Sequence, residues 1–564
     1  MSQQDNFRTQ PPPPLAPRPI TIPTPHETVL SNGLTVVVVE DKRLPLVSYR
    51  LALAVGGAYD PPSLPGLTDL LAGLLPEGTE SKTSREIADA VARMGASLSA
   101  GANSDYTIVA GSALAQFSDH VLELMADVIL NPAFPENEVD LARQNTKESL
   151  RQQRAQPSFL ASEMVARVMF GNHPYSVVAP TPESIDRSTR DEFVKFHRAK
   201  FVPNNAVFFV VGDVKFDNVV NRLQALFSGW SRGDKLAPNF PSPPVRTSRK
   251  AYLIDRPGSA QSNIVIANSG LVRTSPDYFP MLLMHTVLGA TASSRLFMNL
   301  REEKGYTYGA YSNLDARRSA GTFRATAEVR SGVTGDSLKE FFYELERIRN
   351  DRVSEKEIAD AKSYLTGVFP VRLETQEGLI DQLVQIKMLN LPKDYLETYR
   401  DNVQAVTIEQ IQRVAQAYVK PDQAAIVIVG DGASVLDQIR PYCADIEIYT
   451  TAGKLKETGA TPSADITGSW SIYVDTPLGQ SIPATLSIDS TDGILSGKIS
   501  SDMGNADLGA INLKDNSFQA QTSIEMDGHA VAAEIQARFE GESLTGTLKL
   551  RHSPPLSFHG EKAS

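Results

Sequence analysis

Apolar residues follow two rhythms along this chain. Residues 34–39 and 206–211 are nearly unbroken apolar runs, the pattern of short strands covered on both faces. Asn32-Gly33, set between 28–30 and 34–39, predicts a hairpin, 47–55 a further strand, and 96–111 strand-like alternation. Helical spacing predicts helices over 67–75, 84–94, 118–129, 135–153, 158–169 and 189–198. The first is apolar almost all round, so it is predicted to be buried. The second opens on Thr83 with Glu86 as a capping box and stops at Gly95.

The same order then recurs. FVPNNAVFFVVGD, ending at Asp213, returns as VKPDQAAIVIVGD, ending at Asp431. LARQNTKESL at 141–150 returns as IADAKSYLTG at 358–367. This spacing is too long for a solenoid, so the chain carries two homologous halves, 27–235 and 250–449. A Pro-rich linker, 236–249, joins them, and two halves so joined commonly enclose a cavity. Residues 1–26 read as a Pro-rich disordered arm and 450–467 as a polar linker. Residues 468–564 are short alternating runs with turn pairs such as Asp492-Gly493 and Asp527-Gly528 between them, an antiparallel β domain. Its opening, Gly468-Ser469-Trp470, resembles the G-x-W start of lipocalin-like barrels. The expected fold class is α+β: two homologous α/β halves enclosing a chamber, plus a small C-terminal all-β barrel-like domain.

Charge and composition narrow the function. A net charge of −11 argues against nucleic acid or an anionic membrane as partner. No apolar run reaches the ~20 residues of a membrane span. With Cys443 alone, neither an intramolecular disulfide nor a Cys-based zinc site is available. The N-terminus has no apolar signal core, so a cytoplasmic location is expected, or a periplasmic one if a different start site carries a signal peptide.

The stretch with the most chemistry runs from Gly289 to Tyr311. A small-residue loop, Gly289-Ala290-Thr291-Ala292-Ser293, precedes a predicted helix over 294–303, whose Leu296, Phe297 and Leu300 share a core face. Gly305 ends it, and a strand starts at Tyr306-Thr307-Tyr308, so Arg301 and Tyr308 are expected to converge. Read from the residues alone, Arg301 is as well explained by pairing with a neighbouring Glu, and Tyr308 by filling a strand. The order Ser294-Arg295-Leu296-Phe297, Leu300-Arg301-Glu302, Gly305, Tyr308 resembles the insulinase, or pitrilysin-like, zinc metallopeptidases, with S-R-L-F-x-x-L-R-E-x-x-G-x-x-Y after a small-residue loop. The resemblance covers about residues 27 to 450. It implies that Arg301 and Tyr308 bind a substrate carbonyl and steady the developing oxyanion, a role that rigid donors suit.

The family's zinc motif, H-x-x-E-H on a helix of the first half, is missing. The matching segment is Gly66-Leu67-Thr68-Asp69-Leu70-Leu71-Ala72-Gly73. Asp69 and Gly73 stand where the resemblance places the histidines, and Ala72 where it places the general base. The distal Glu ligand falls on Ser149, beside Glu148. No two of the eight histidines lie within four positions of each other, so no helical His pair exists. The loop His173-Pro174-Tyr175 reads as structural. The resemblance therefore implies no metal or cofactor in this chain. It implies a zinc-bearing homologous subunit as partner, and short unfolded peptides as substrate. The alternatives are a structural or assembly subunit and a peptide-binding protein of the same fold.

Overall fold

The computed structural model describes residues 22–237, 239–456 and 466–563, the last outside 477–479, 492–493, 503, 510, 515–516, 527–528, 541–542 and 551–554. Most of the N-terminal arm and both turn pairs named above lie outside the described residues. The chain divides into two compact units, Met1–Lys456 and Glu457–Ser564.

Within the first unit each half is built on one mixed sheet. In spatial order the first runs His26–Val29, Thr35–Glu40, Ala206–Gly212, Leu46–Leu53, Thr107–Leu114, Ser97–Ala102. The second runs Leu455–Lys456, Ile446–Thr450, Lys250–Asp255, Ala425–Gly430, Gln261–Ser269, Gly321–Arg330, Thr307–Ala316. The five strands from Thr35–Glu40 onward in the first sheet match, in order and direction, the five from Lys250–Asp255 onward in the second. That is the repeat read in the sequence. The Asn32-Gly33 hairpin forms with Gly33 at φ 91°, and Asn32 fixes it by donating to Phe227 O at 2.8 Å. The capping box of Thr83 with Glu86 opens helix Ser84–Met94, and Gly95 closes it at φ 57°.

The unbroken apolar strands are explained by what covers their second faces. Helix Pro157–Phe170 of the first half lies on the second half's sheet, where Leu160, Met164 and Val165 meet Tyr252, Val265 and Val427. Helix Gln376–Met388 of the second half lies on the first half's sheet, where Ile380, Leu383 and Val384 meet Val37, Ala52 and Phe209. Each half thus finishes the core of the other. The exchange also carries charge: Glu377 accepts from Ser48 Oγ at 2.7 Å and pairs with Arg50.

A second junction closes one side. Tyr175 Oη donates to the buried Asp105, Arg317 Nη1 donates to Ser104 Oγ at 3.2 Å, and the Arg317 guanidinium lies over the Tyr175 ring. The linker is not free either, since Phe240 packs edge-on against Tyr59 and His173. The polar stretch after Thr450 also begins as structure: Leu455–Lys456 pairs with Ile446–Thr450, which extends the second sheet to Lys456.

The second unit is a closed antiparallel barrel of eight strands, from Gly468–Asp475 to Leu556–Lys562, shut by the pairing of Leu508 with Thr522. The short strand Asn512–Lys514 pairs with Ser517–Met526 and is not itself part of the ring. Trp470, Leu486, Phe518, Ile535, Phe539 and Phe558 fill the interior, so the barrel is a packed core. Trp470 is fully buried and donates from Nε1 to Ile466 O at 3.0 Å. A unit with its own core should be dispensable for the folding of the other. Ending the chain at Lys456 should leave soluble protein whose thermal midpoint moves by less than about 2 °C, the scale of a sub-kcal/mol change for a domain this large. Insoluble protein, or a larger drop in differential scanning calorimetry, would show that the barrel supports the halves.

Candidate functional site

The face carrying Arg301 and Tyr308 is made by a short helix and a bulged strand. Helix Tyr278–His285 widens into a π-type turn over Thr286–Ala290. At Gly289 a Cβ would sit 2.3 Å from Ser312 N, so only glycine lets the two backbones approach. Ala290, Thr291, Ala292 and Ser293 form the loop, with Ala292 and Ser293 exposed. Ser294 Oγ closes it by donating to Thr291 O at 2.6 Å. The expected helix follows in two pieces, an α turn Arg295–Phe297 and a π turn Met298–Glu303. Lys304 N donates to Asn299 O at 3.0 Å, the wider spacing that marks a π turn. Leu296, Phe297 and Leu300 are buried, as their spacing predicts.

Arg301 leaves the π turn half-exposed. It pairs with Glu302 and lies over the Phe297 ring, 5.1 Å from the centroid. Tyr308 stands on strand Thr307–Ala316, at the edge of the second sheet, and is 90% exposed. A bulge aims it outward: Ala327 pairs with Ala310 and Val329 with Thr307, so Tyr308 and Gly309 together oppose one residue, Glu328. Thr307 Oγ1 pins the bulge by accepting from Gly309 N at 3.1 Å and donating to Glu328 O at 2.6 Å. The Tyr311 ring covers Gly309, where a Cβ would meet it at 2.6 Å, and packs on Phe297 at 5.7 Å. Arg301 and the Tyr308 bulge are linked through ring contacts, Arg301 on Phe297, Phe297 on Tyr311, and Tyr311 on Gly309. No hydrogen bond joins them directly among the described residues. Beneath lies His285, whose Nδ1 is 2.7 Å from Ser312 Oγ. Burial lowers its pKa to about 4, so the ring is neutral at neutral pH, and Ser312 Oγ also lies 3.2 Å from His285 O, to which it can donate.

The degenerate zinc segment is helix Leu67–Leu74. Asp60 holds its start, accepting from Gly66 N at 2.8 Å and Thr68 N at 2.9 Å. Burial pushes the Asp60 carboxyl up to about 6, with these hydrogen bonds opposing. Asp69 opens onto a cavity of about 560 Å³ between the halves, shared with Asp60, Ala102, Asp315 and Arg317. The cavity is open, yet its walls strip enough water from Asp69 to raise its pKa, against a bond from Ala102 N. Ala72 is fully buried. A Cβ on Gly73 would meet nothing within 4 Å, so the space for a side chain is there without the side chain. Ser149 lies exposed on helix Glu136–Arg154, where Gln153 Nε2 donates to it at 3.3 Å, and Glu148 pairs with Arg151.

Residues 35–181 match the insulinase (peptidase family M16) domain, and residues 187–365 match the peptidase M16 inactive domain. The chain belongs to peptidase family M16. It is 26% identical over 403 residues to an uncharacterized zinc protease of Mycobacterium leprae, covering 71% of this chain and 91% of that one. It is 21% identical over 408 residues to YmxG of Helicobacter pylori, described as a non-peptidase homolog, covering 72% and 94%. The crystal structure of a peptidase M16 inactive domain from Pseudomonas fluorescens superposes with a TM-score of 0.68 at 26% identity, covering 72% of this chain and 98% of that one.

The zinc of the M16 family does not fit this chain's own residues. Asp69 offers one carboxylate, Ala72 and Gly73 offer no ligand, and Ser149 is a poor one. Among the described residues no three His, Cys, Asp or Glu side chains gather closely enough to hold a metal ion. Elemental analysis of the purified chain should find far less than one zinc per chain. About one tightly held zinc would require a ligand set that the M16 helix does not supply.

Two polar residues of the short helix, Arg295 and Asn299, do more than their sequence positions indicate. Arg295 is buried and makes a two-pronged pair with Glu357, Nε to Oε1 at 2.7 Å and Nη2 to Oε2 at 3.1 Å. Burial pushes Glu357 up, but Arg295 and the N–H of Ser354 outweigh it and hold the carboxyl at about 2. One turn on, buried Asn299 donates to Glu340 and Glu344, both at 3.0 Å. The short helix that carries Arg301 is therefore tied to helices Thr334–Asn350 and Glu355–Leu373 by polar bonds. The signal was present: polar residues at 295 and 299, one turn apart, next to the apolar face.

Proposed function

We propose that this chain is the zinc-less subunit of a two-chain M16 peptidase. A homologous partner carrying H-x-x-E-H brings metal and base, and this chain brings Arg301 and Tyr308 to the carbonyl oxygen of a short, unfolded peptide. The observation that carries the reading is the outward presentation of Tyr308 by a bulge on an edge strand. A structural role has no use for a phenol held in water at the cost of a ladder irregularity. Thr307–Ala316 is the last strand of its sheet among the described residues, and its outer edge beside Tyr308 suits an extended peptide. One observation favours the other reading, a structural or assembly subunit: Arg301 is already paired with Glu302. An exposed pair of this kind contributes no more than about 1 kcal/mol and yields readily to a better acceptor. The test is co-purification with the products of neighbouring genes, then a peptidase assay with and without chelator. Chelator-sensitive cleavage by the pair and by neither chain alone is expected. A stable complex with no cleavage would favour the assembly role.

A further inference from the structure

We propose that a cavity of about 390 Å³, beside the exchanged helix Pro157–Phe170, takes the carboxyl end of a short peptide whose last residue is apolar. The site lies apart from Arg301 and Tyr308 and does not depend on the hydrolytic reading. It arises from the way the halves exchange helices. Leu160 and Met164, packed on the second sheet at Ile254, are buried and form an apolar floor. Above it stand Val177 and Val178, 46% and 44% exposed. Two neighbouring valines in water at the lip of an apolar cavity call for an apolar occupant.

The polar part of the site sets the chemistry of that occupant. Arg154 and Arg167 both line the cavity, together with a single carboxylate, Glu163. Glu163 is matched with Arg154 at 3.1 Å. Arg167 donates from Nη1 to Gly453 O at 3.1 Å and lies over the Tyr449 ring. No carboxylate among the described residues comes within ion-pair distance of it. The charged residues that line the cavity therefore sum to one positive charge next to an apolar floor, since Glu447, which acts on Arg167 from beyond the Tyr449 ring, is itself bound by Lys250 and does not line the cavity; a carboxylate attached to an apolar group suits both. A fatty acid and a peptide C-terminus share that chemistry. The backbone favours the peptide: the N–H groups of Val178 and Ala179 make no hydrogen bond among the described residues, and the turn at Thr450–Gly453 forms the opposite rim. Amide units can use such groups and an alkyl chain cannot.

The test uses the full chain and isothermal titration calorimetry with three probes: N-acetyl-Ala-Ala-Leu with a free carboxyl, the same peptide as its C-terminal amide, and octanoate. The acid is expected to bind at least about tenfold more tightly than the amide, the scale of one hydrogen-bonded charge pair. Arg167→Gln should remove that preference, and Arg167→Lys should keep part of it. Val178→Asp, on an exposed residue whose change leaves the core intact, should abolish binding of the acid. It decides the matter if Arg167→Gln proves unstable. Equal affinity for acid and amide, octanoate binding as tightly as the peptide, unchanged binding in Val178→Asp, or no binding of the acid would each overturn the assignment. The isolated chain suffices, so failure here leaves the two-chain peptidase standing, and the reverse.

Discussion

Replacing Tyr308 by Phe should lower peptide cleavage by the reconstituted pair about 100- to 1,000-fold, while complex formation stays at wild-type strength. The ring is 90% exposed, so the change removes one hydroxyl and little packing. As the carbonyl carbon is attacked, its oxygen gains charge that a positioned donor steadies, and losing one such donor typically costs about 2.7–4 kcal/mol of barrier. Arg301→Lys should also be impaired, because a lysine keeps the charge but not the planar fork. Its loss should be smaller than that of Arg301→Ala. The fall should sit mostly in kcat, since the interaction belongs to the transition state. Steady-state kinetics on the pair, with the complex checked by analytical ultracentrifugation, separates the outcomes. Full activity in both Tyr308→Phe and Arg301→Ala would remove the reason for calling this a peptidase subunit, and an assembly role would take its place.

Local signals carried much of the fold and little of the site's support. The hairpin at Asn32-Gly33 and the capping box at Thr83 are decided by residues within a few positions of each other, and both form where the sequence places them. The runs at 34–39 and 206–211 were legible as strands covered twice. What covers them was not, because Ile380 and Leu383 lie in the other half and only the tertiary fold brings them there. The same holds at the site. Arg301 and Tyr308 are expected to converge from their spacing alone, but the bulge that turns Tyr308 outward depends on Ala327, Glu328 and Val329 in the next strand, which no local pattern near Tyr308 reveals. The π turn under Arg301 has no residue signature of its own. Arg295 and Glu357 are 62 positions apart, and neither announces the other.

That distant pair should be where the fold is least forgiving. Glu357→Ala leaves the Arg295 guanidinium buried, 7% exposed, beside an Nη1 that already has no partner. Breaking a buried pair from one side typically costs about 3–5 kcal/mol, because the surviving charge is stranded. Glu357 also accepts from Ser354 N at 2.8 Å and Ser354 Oγ at 2.9 Å, so the same change removes one half of the capping box of helix Glu355–Leu373, while Ser354 Oγ still accepts from the backbone N–H of residue 357. Arg295→Met with Glu357→Gln should recover most of the loss, since the amide still reaches Ser354 and the thioether fills the space without a charge. Acid should act in the same direction. The Glu357 carboxyl titrates lower in the folded chain than in a free one, so its contribution is complete above the ordinary glutamate range. It fades as pH falls toward about 2. Urea melts at pH 7 for Glu357→Ala and for the four chains of the Arg295→Met and Glu357→Gln cycle, repeated for wild type between pH 5 and pH 2.5, measure both effects. A coupling below about 0.5 kcal/mol would mean that the pair only decorates a helix held by Leu296 and Leu300. A Glu357→Ala chain that melts like wild type would leave the helix that carries Arg301 held by packing and by the Asn299 bonds to Glu340 and Glu344.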